Sequence, residues 1–204
     1  MRASKMPVLS KVEGPLFRAV LALLALLLAG PLWAQLPVPP QGKHMAVELV
    51  AEGPVRPGET LTLALHFTPE PGWHGYWSNP GDAGLGMRLQ WNLPEGWEAG
   101  EPQYPVPHKL LISGLMNHVY EGDYAVLVPI EVPEDAAVAN IVPIEVKGDW
   151  LVCTNEICVP ESGTLTLRLT SGEAPRDPRF DAWRAALPPL LDRPHSDLGV
   201  PRKR

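Results

Sequence analysis

Cysteine is almost missing from this sequence, with two in 204 residues, Cys153 and Cys158. That excludes a domain built on a disulfide framework and leaves a single intramolecular pairing. There is no Cys-x-x-Cys and no His-x-x-x-His, and the six histidines are scattered, so no zinc signature is present. A nucleophile elbow, a glycine-rich phosphate loop and a spacing that singles out paired carboxylates are also lacking. Basic residues are outnumbered, 17 against 23 acidic ones, for a formal charge of −6. Such a surface repels nucleic acid and anionic lipid. Past the first 34 residues no apolar run approaches the roughly 20 residues that cross a bilayer as a helix.

What is present begins with an export signal. Arg2, Lys5, Lys11 and Arg18 precede an apolar run over 19–28, followed by Gly30, Pro31 and the small Ala34. This order of charge, apolar stretch and small residue predicts a secretory signal peptide over 1–34, cleaved after Ala34. Its removal takes the charge of the remaining chain to −9, because four basic groups and Glu13 leave with it. The remainder suits one domain with a substantial core.

The 25 prolines and 18 glycines punctuate short apolar segments in the manner of an all-β fold. A proline-rich leader over 35–43 precedes strands expected at 46–51 and 60–67. In the second, Leu61, Leu63, Leu65 and Phe67 alternate with Thr60, Thr62, Ala64 and His66, the period of a strand with one buried face. Strands are further expected at 73–78, 87–91, 124–132, 141–152 and 163–169, with a pairing segment near 97–104. The stretch 105–121 is apolar without clean periodicity and reads as a functional or covering loop. About eight short strands at this spacing predict a two-sheet sandwich. From Asp177, an acidic cap, Pro178 in the first turn, and Phe180, Trp183 and Leu187 at helical spacing predict a short helix ending near Pro188. The domain is expected over 44–172, with the helix and a flexible basic tail over 173–204.

Cys153 and Cys158 flank Thr154-Asn-Glu-Ile157 between two strand-like runs, where a bridge is geometrically easy. On the residues alone, two readings stand side by side. One is a structural staple. The other is exchange: closing so short a loop removes only about 2 kcal/mol of unfolded-state entropy, and a bridge at a strand end is open to an incoming thiolate. Asp149, Glu156 and Glu161 lie nearby in sequence and would disfavour a thiolate. His74, His118 and Asp82 are candidate proton carriers, with His118 the foremost, although a lone histidine in a β-domain is more often simply hydrogen-bonded. Trp73, Trp77, Trp91, Trp97 and Trp150 read as core and rim.

The run Gly148-Asp-Trp-Leu-Val-Cys-Thr-Asn-Glu-Ile-Cys-Val-Pro-Glu161 resembles the cysteine hairpin of the N-terminal periplasmic domain of the DsbD/ScsB-type thiol:disulfide interchange proteins. Trp73-His-Gly-Tyr-Trp-Ser-Asn-Pro-Gly-Asp-Ala-Gly84, Trp91-Asn-Leu-Pro-Glu-Gly-Trp97 and Tyr120-Glu-Gly-Asp-Tyr124 extend the likeness over about 44–170. The resemblance implies an immunoglobulin-like sandwich in the periplasm with thiol:disulfide interchange activity of the protein-disulfide reductase type. Cys158 would form the mixed disulfides and Cys153 would resolve them. Leu115, Met116, His118 and Tyr120 would belong to a cap loop over the cysteines, with Leu115 or Met116 as the apolar lid. The implied partners are thioredoxin-like or disulfide isomerase proteins. The best-known relatives continue into a membrane domain, whereas this sequence ends in Arg202-Lys-Arg204, so a separate membrane electron donor is expected. No cofactor or metal is implied.

Two alternatives remain from the residues themselves. One is a non-catalytic immunoglobulin-like binding domain with a structural disulfide. The other is a copper-stress protein using the thiols with Met116 and His118 as soft ligands.

Overall fold

A computed structural model describes residues 43–137 and 141–189. The expected signal peptide and its cleavage point, almost all of the proline-rich leader and the basic tail lie outside the described residues. The elements in order are β1 (Met45–Ala51), β2 (Thr60–Pro69), β3 (Gly75–Gly81), β4 (Arg88–Asn92), β5 (Glu98–Ala99), β6 (His108–Ile112), β7 (Leu115–Tyr120), β8 (Tyr124–Glu131), β9 (Ile141–Cys153), β10 (Cys158–Thr170) and helix α1 (Arg179–Ala185).

Two antiparallel sheets, ordered β1-β2-β8-β5 and β10-β9-β4, face each other as an immunoglobulin-like sandwich. The alternation along the strands determines which side chains lie between them. From β2 these are Leu61, Leu63, Leu65 and Phe67, and from β8 Val126, Val128 and Ile130. The other sheet contributes Val142, Ile144, Val146, Trp150 and Val152 from β9 and Leu165, Leu167 and Leu169 from β10. The opposite face of β2 and β8 is also apolar at Ala64, Ala125 and Leu127, and α1 covers it with Phe180 and Trp183. Asp177 accepts the backbone N–H of Arg179 at 2.9 Å, and the Arg176 and Arg184 guanidinium groups both donate to Glu52 on the sheet side. These bonds hold Glu52 well below the usual carboxylate range, at about 2.

The β9–β10 hairpin is longer than the sequence suggests. β10 begins at Cys158, five residues before the strand expected from Gly163, and Gly148 and Gly163 stand opposite each other in register. The Trp150 indole lies over both, leaving no room for a Cβ without displacing the ring by a few tenths of an ångström. The glycines therefore make space for the tryptophan instead of ending the strand.

A third sheet, ordered β3-β7-β6, corrects the expectation of a loop over 105–121. β6 and β7 form a hairpin whose two-residue turn is Ser113-Gly114, both with positive φ (52° and 87°), the geometry of a type I′ turn. Its period of two is hidden because both faces carry apolar side chains. His108, Leu110, Ile112, Leu115, Asn117 and Val119 share one face, while Lys109, Leu111, Met116 and His118 share the other.

Candidate functional site

The disulfide sits at the tip of the β9–β10 hairpin. Cys153 and Cys158 are directly opposed in register, bonded to each other, with Cα atoms 4.1 Å apart. Backbone pairing explains this close approach. Cys153 directs both its N–H and its carbonyl away from Cys158 and toward His74, giving bonds of 3.0 and 2.8 Å. The cysteines are thus a non-hydrogen-bonded pair, the class in which facing side chains lie nearest. The four-residue connection is braced by Thr154, whose N–H donates to the Ile157 carbonyl (2.8 Å) and whose Oγ1 accepts the N–H groups of Glu156 and Ile157 (both 3.1 Å).

The two sulfurs have different surroundings. Even-numbered residues of β9 point into the sandwich, so Cys153 points outward with Leu151 and Asp149. It is nevertheless fully buried, because the third sheet closes over that face. Tyr76 and Val119, with Leu110 and Leu151 at the margin, form a small apolar cluster around it. Cys158 is exposed, and the neighbouring Ile157 is 56% exposed.

The expected cap residues separate by face. Leu115 shares its face with Val119 and so stands on the side that closes over Cys153; it is 47% exposed. Met116 and His118 are on the other face. The His118 ring meets Trp77 edge-on at 5.5 Å and its Nδ1 lies 3.0 Å from the Asn79 carbonyl. Tyr120 is buried at the hairpin root, where its hydroxyl donates to the Pro105 carbonyl (2.7 Å) and its ring stacks on Tyr124 at 4.1 Å. Burial and nearby Tyr104 push the Tyr120 hydroxyl far above its ordinary value. Met116 and His118 do not face the thiols, so the proposed set of soft copper ligands is not brought together. Among the described residues no three His, Cys, Asp or Glu side chains converge as a metal site.

Asp82 acts as a latch and not as a proton carrier at the cysteines. Its Oδ2 accepts the Met116 N–H and its own N–H donates to the Met116 carbonyl, both at 2.8 Å. Gly81, with φ of 93°, is required beside it, since a Cβ there would lie 2.3 Å from the Met116 carbonyl oxygen. Of the acidic neighbours in sequence, Glu161 faces inward, accepting from the Trp150 indole (3.3 Å) and the His44 N–H (2.5 Å). Asp149 and Glu156 are exposed.

Of the candidate proton carriers, the one beside the disulfide is His74. It is 2% exposed, lies across from Cys153, and its Nε2 is 3.4 Å from the Tyr76 hydroxyl. The Trp73-to-Ser78 aromatic run marked a strand, but nothing in it said which strand would lie alongside.

The fold is thus an immunoglobulin-like sandwich that carries a disulfide at a hairpin tip, with Cys153 buried under a separate small sheet and Cys158 exposed. Residues 45–170 match the family described as thiol:disulfide interchange protein DsbD, N-terminal, and the chain belongs to that family. The fold is shared with the N-terminal periplasmic domain of ScsB from Proteus mirabilis, at a TM-score of 0.56 and 19% identity over 73% of this chain. The chain spans 56% of the length of that domain. Two further matches come from Neisseria meningitidis. The DsbD N-terminal domain in the reduced form has a TM-score of 0.38 at 13% identity, covering 64% of this chain and 87% of that one. The complex between the DsbD N-terminal and PilB N-terminal domains has a TM-score of 0.35 at 13% identity, covering 57% and 79%. No curated protein matches the sequence.

Proposed function

We propose that this chain is a periplasmic thiol–disulfide exchange module that relays reducing equivalents through Cys153 and Cys158. The observation that carries this reading is the asymmetry of the pair: Cys153 is fully buried and Cys158 is exposed. A partner thiolate reaches Cys158, forms the mixed disulfide there and expels Cys153, which is held in place to resolve the intermediate on the return. A staple needs no such asymmetry, and so short a loop contributes only about 2 kcal/mol as a crosslink.

The hairpin β6–β7 serves as the lid. Its Leu110, Leu115 and Val119 face shields Cys153 from small thiols and oxidants, making exchange depend on docking. Reducing equivalents come from a membrane electron donor and pass to thioredoxin-like or disulfide isomerase proteins. Export by the 1–34 leader, cleaved after Ala34, brings the domain to that compartment.

The reading is tested by the reduction potential of the pair, from equilibration in glutathione or dithiothreitol buffers with free thiols counted by mass spectrometry. The expected value lies in the range of protein exchangers, roughly −180 to −270 mV. A value below about −300 mV is that of a structural bridge and would overturn the relay.

A further inference from the structure

His74 is a buried imidazole placed across from Cys153. It and Cys153 exchange both backbone hydrogen bonds, so their side chains stand on the same face of adjacent strands with Cβ atoms about 5 Å apart. Tyr76 lies on that face as well, packed in the cluster with Cys153, and its hydroxyl is 3.4 Å from the His74 Nε2. The groups that face the imidazole are therefore Cys153 from β9, Tyr76 from its own strand, and Glu121 just beyond β7. Burial lowers the imidazole from its ordinary value, and the Glu121 carboxylate opposes this with a smaller pull. With the ring uncharged at neutral pH, the tautomer that donates its Nε2–H to the Tyr76 oxygen keeps Nδ1 as the acceptor.

We propose that His74 is the proton carrier for Cys153 during exchange, with the Tyr76 hydroxyl positioning its ring. The proposal rests on the exchange reading above. When the reduced domain is joined to a partner through Cys158, the Cys153 thiol gives its proton to the imidazole and its sulfur attacks the Cys158 Sγ. The bond between Cys158 and the partner breaks, the electron pair leaves on the partner's sulfur, and that thiolate is protonated from the imidazolium or solvent. The domain is oxidised by two electrons and the partner reduced by two. In the reverse direction a partner thiolate attacks Cys158, the Cys153–Cys158 bond breaks, and Cys153 departs with the electron pair and takes its proton through His74.

A chromogenic aryl disulfide separates the steps, because attack by Cys158 releases one coloured thiolate and resolution by Cys153 releases a second. In stopped-flow mixing with the fully reduced protein, His74→Gln should slow the second release about 100-fold at pH 7, the low end for general acid–base catalysis. The first release should stay within about twofold. The wild-type second phase should fall off only below the imidazole's ionisation, whereas in His74→Gln it should climb steadily toward an ordinary thiol near pH 8.5. Tyr76→Phe should slow the second phase by a smaller factor. An unchanged second phase with an unchanged pH profile would remove His74 while leaving exchange intact. Absence of the second release from wild type would overturn exchange itself. Should His74→Gln not fold, the wild-type profile decides: a second phase governed only by a group near pH 8.5 rejects the proposal.

Discussion

The apolar interior of the sandwich and the small cluster around Cys153 are built on opposite faces of the same strand, β9, yet they differ in almost every physical respect. Between the two main sheets, Val142, Ile144, Val146, Trp150 and Val152 meet side chains from β1, β2, β8 and β10 in one continuous core. On the outer face, Cys153 has Tyr76, Val119, Leu110 and Leu151. That second cluster lies under a two-stranded hairpin with one free edge. The pairing of β3 with β7 breaks register between Tyr76 and Gly81. The buried Oδ1 of Asn117 has no hydrogen-bond partner among the described residues. The lesson is that one strand builds two faces of unequal security: one is over-determined, and the other is closed by few contacts, which is what the proposed exchange at Cys153 requires.

The largest expected effect tests this division directly. Leu65→Ala removes a fully buried core side chain and should cost about 2–5 kcal/mol in urea unfolding, while the alkylation rate of the reduced cysteines under native conditions stays within twofold. Val119→Ala should cost about 1–2 kcal/mol and yet raise the labelling of Cys153 roughly tenfold, since it thins the cover. Equal labelling in the two variants would erase the distinction between the faces.

A smaller effect sharpens the comparison within the hairpin. Leu115→Ser should increase Cys153 labelling several-fold, with a stability change under about 1 kcal/mol. Met116→Ser, on the opposite face, should leave labelling unchanged. Mass spectrometry after a timed pulse of iodoacetamide on the reduced protein reads both. A Met116 effect as large as that of Leu115 would mean that the hairpin does not cover by one face.

How much of this was legible beforehand follows from the same contrast. The alternation Leu61, Leu63, Leu65, Phe67 is a strand with one wet or thinly covered face, and it reads as such. The α1 start was equally plain, because Asp177 and Pro178 are local signals. The hairpin β6–β7 was not legible, since Leu111 and Met116 on its outer face hide the alternation of Leu110, Ile112, Leu115 and Val119. Ser113 at positive φ also gave no turn signal of the Asn-Gly kind. The cysteine hairpin could be recognised because both partners are close in sequence. His74 could not be placed, because its neighbour across the sheet comes from a strand far along the chain. His118 looked better only for lying on the expected cap, where the fold turns it away from the thiols.

The smallest effect concerns acid, and its sign separates the two faces from the helix brace. His74 is depressed by burial below 6.5, so the unfolded chain binds more protons than the native one beneath that value. The stability that His74 contributes is present above about pH 6.5 and is lost as pH falls through its native value. Glu52 is held at about 2 against an ordinary 4.5 by Arg184 and Arg176, so its contribution persists until about pH 4.5 and is lost between there and 2. The carboxylate is 15% exposed, but the two arginines are close to half exposed and screened by solvent, which reduces its share to about 1 kcal/mol. Glu52→Gln should therefore flatten the stability curve below pH 4.5 and leave the slope just below 6.5 intact, whereas His74→Gln should do the reverse. Urea midpoints measured at half-unit pH steps distinguish them, and a single shared window for both variants would mean that the cysteine cover and the helix brace titrate as one unit.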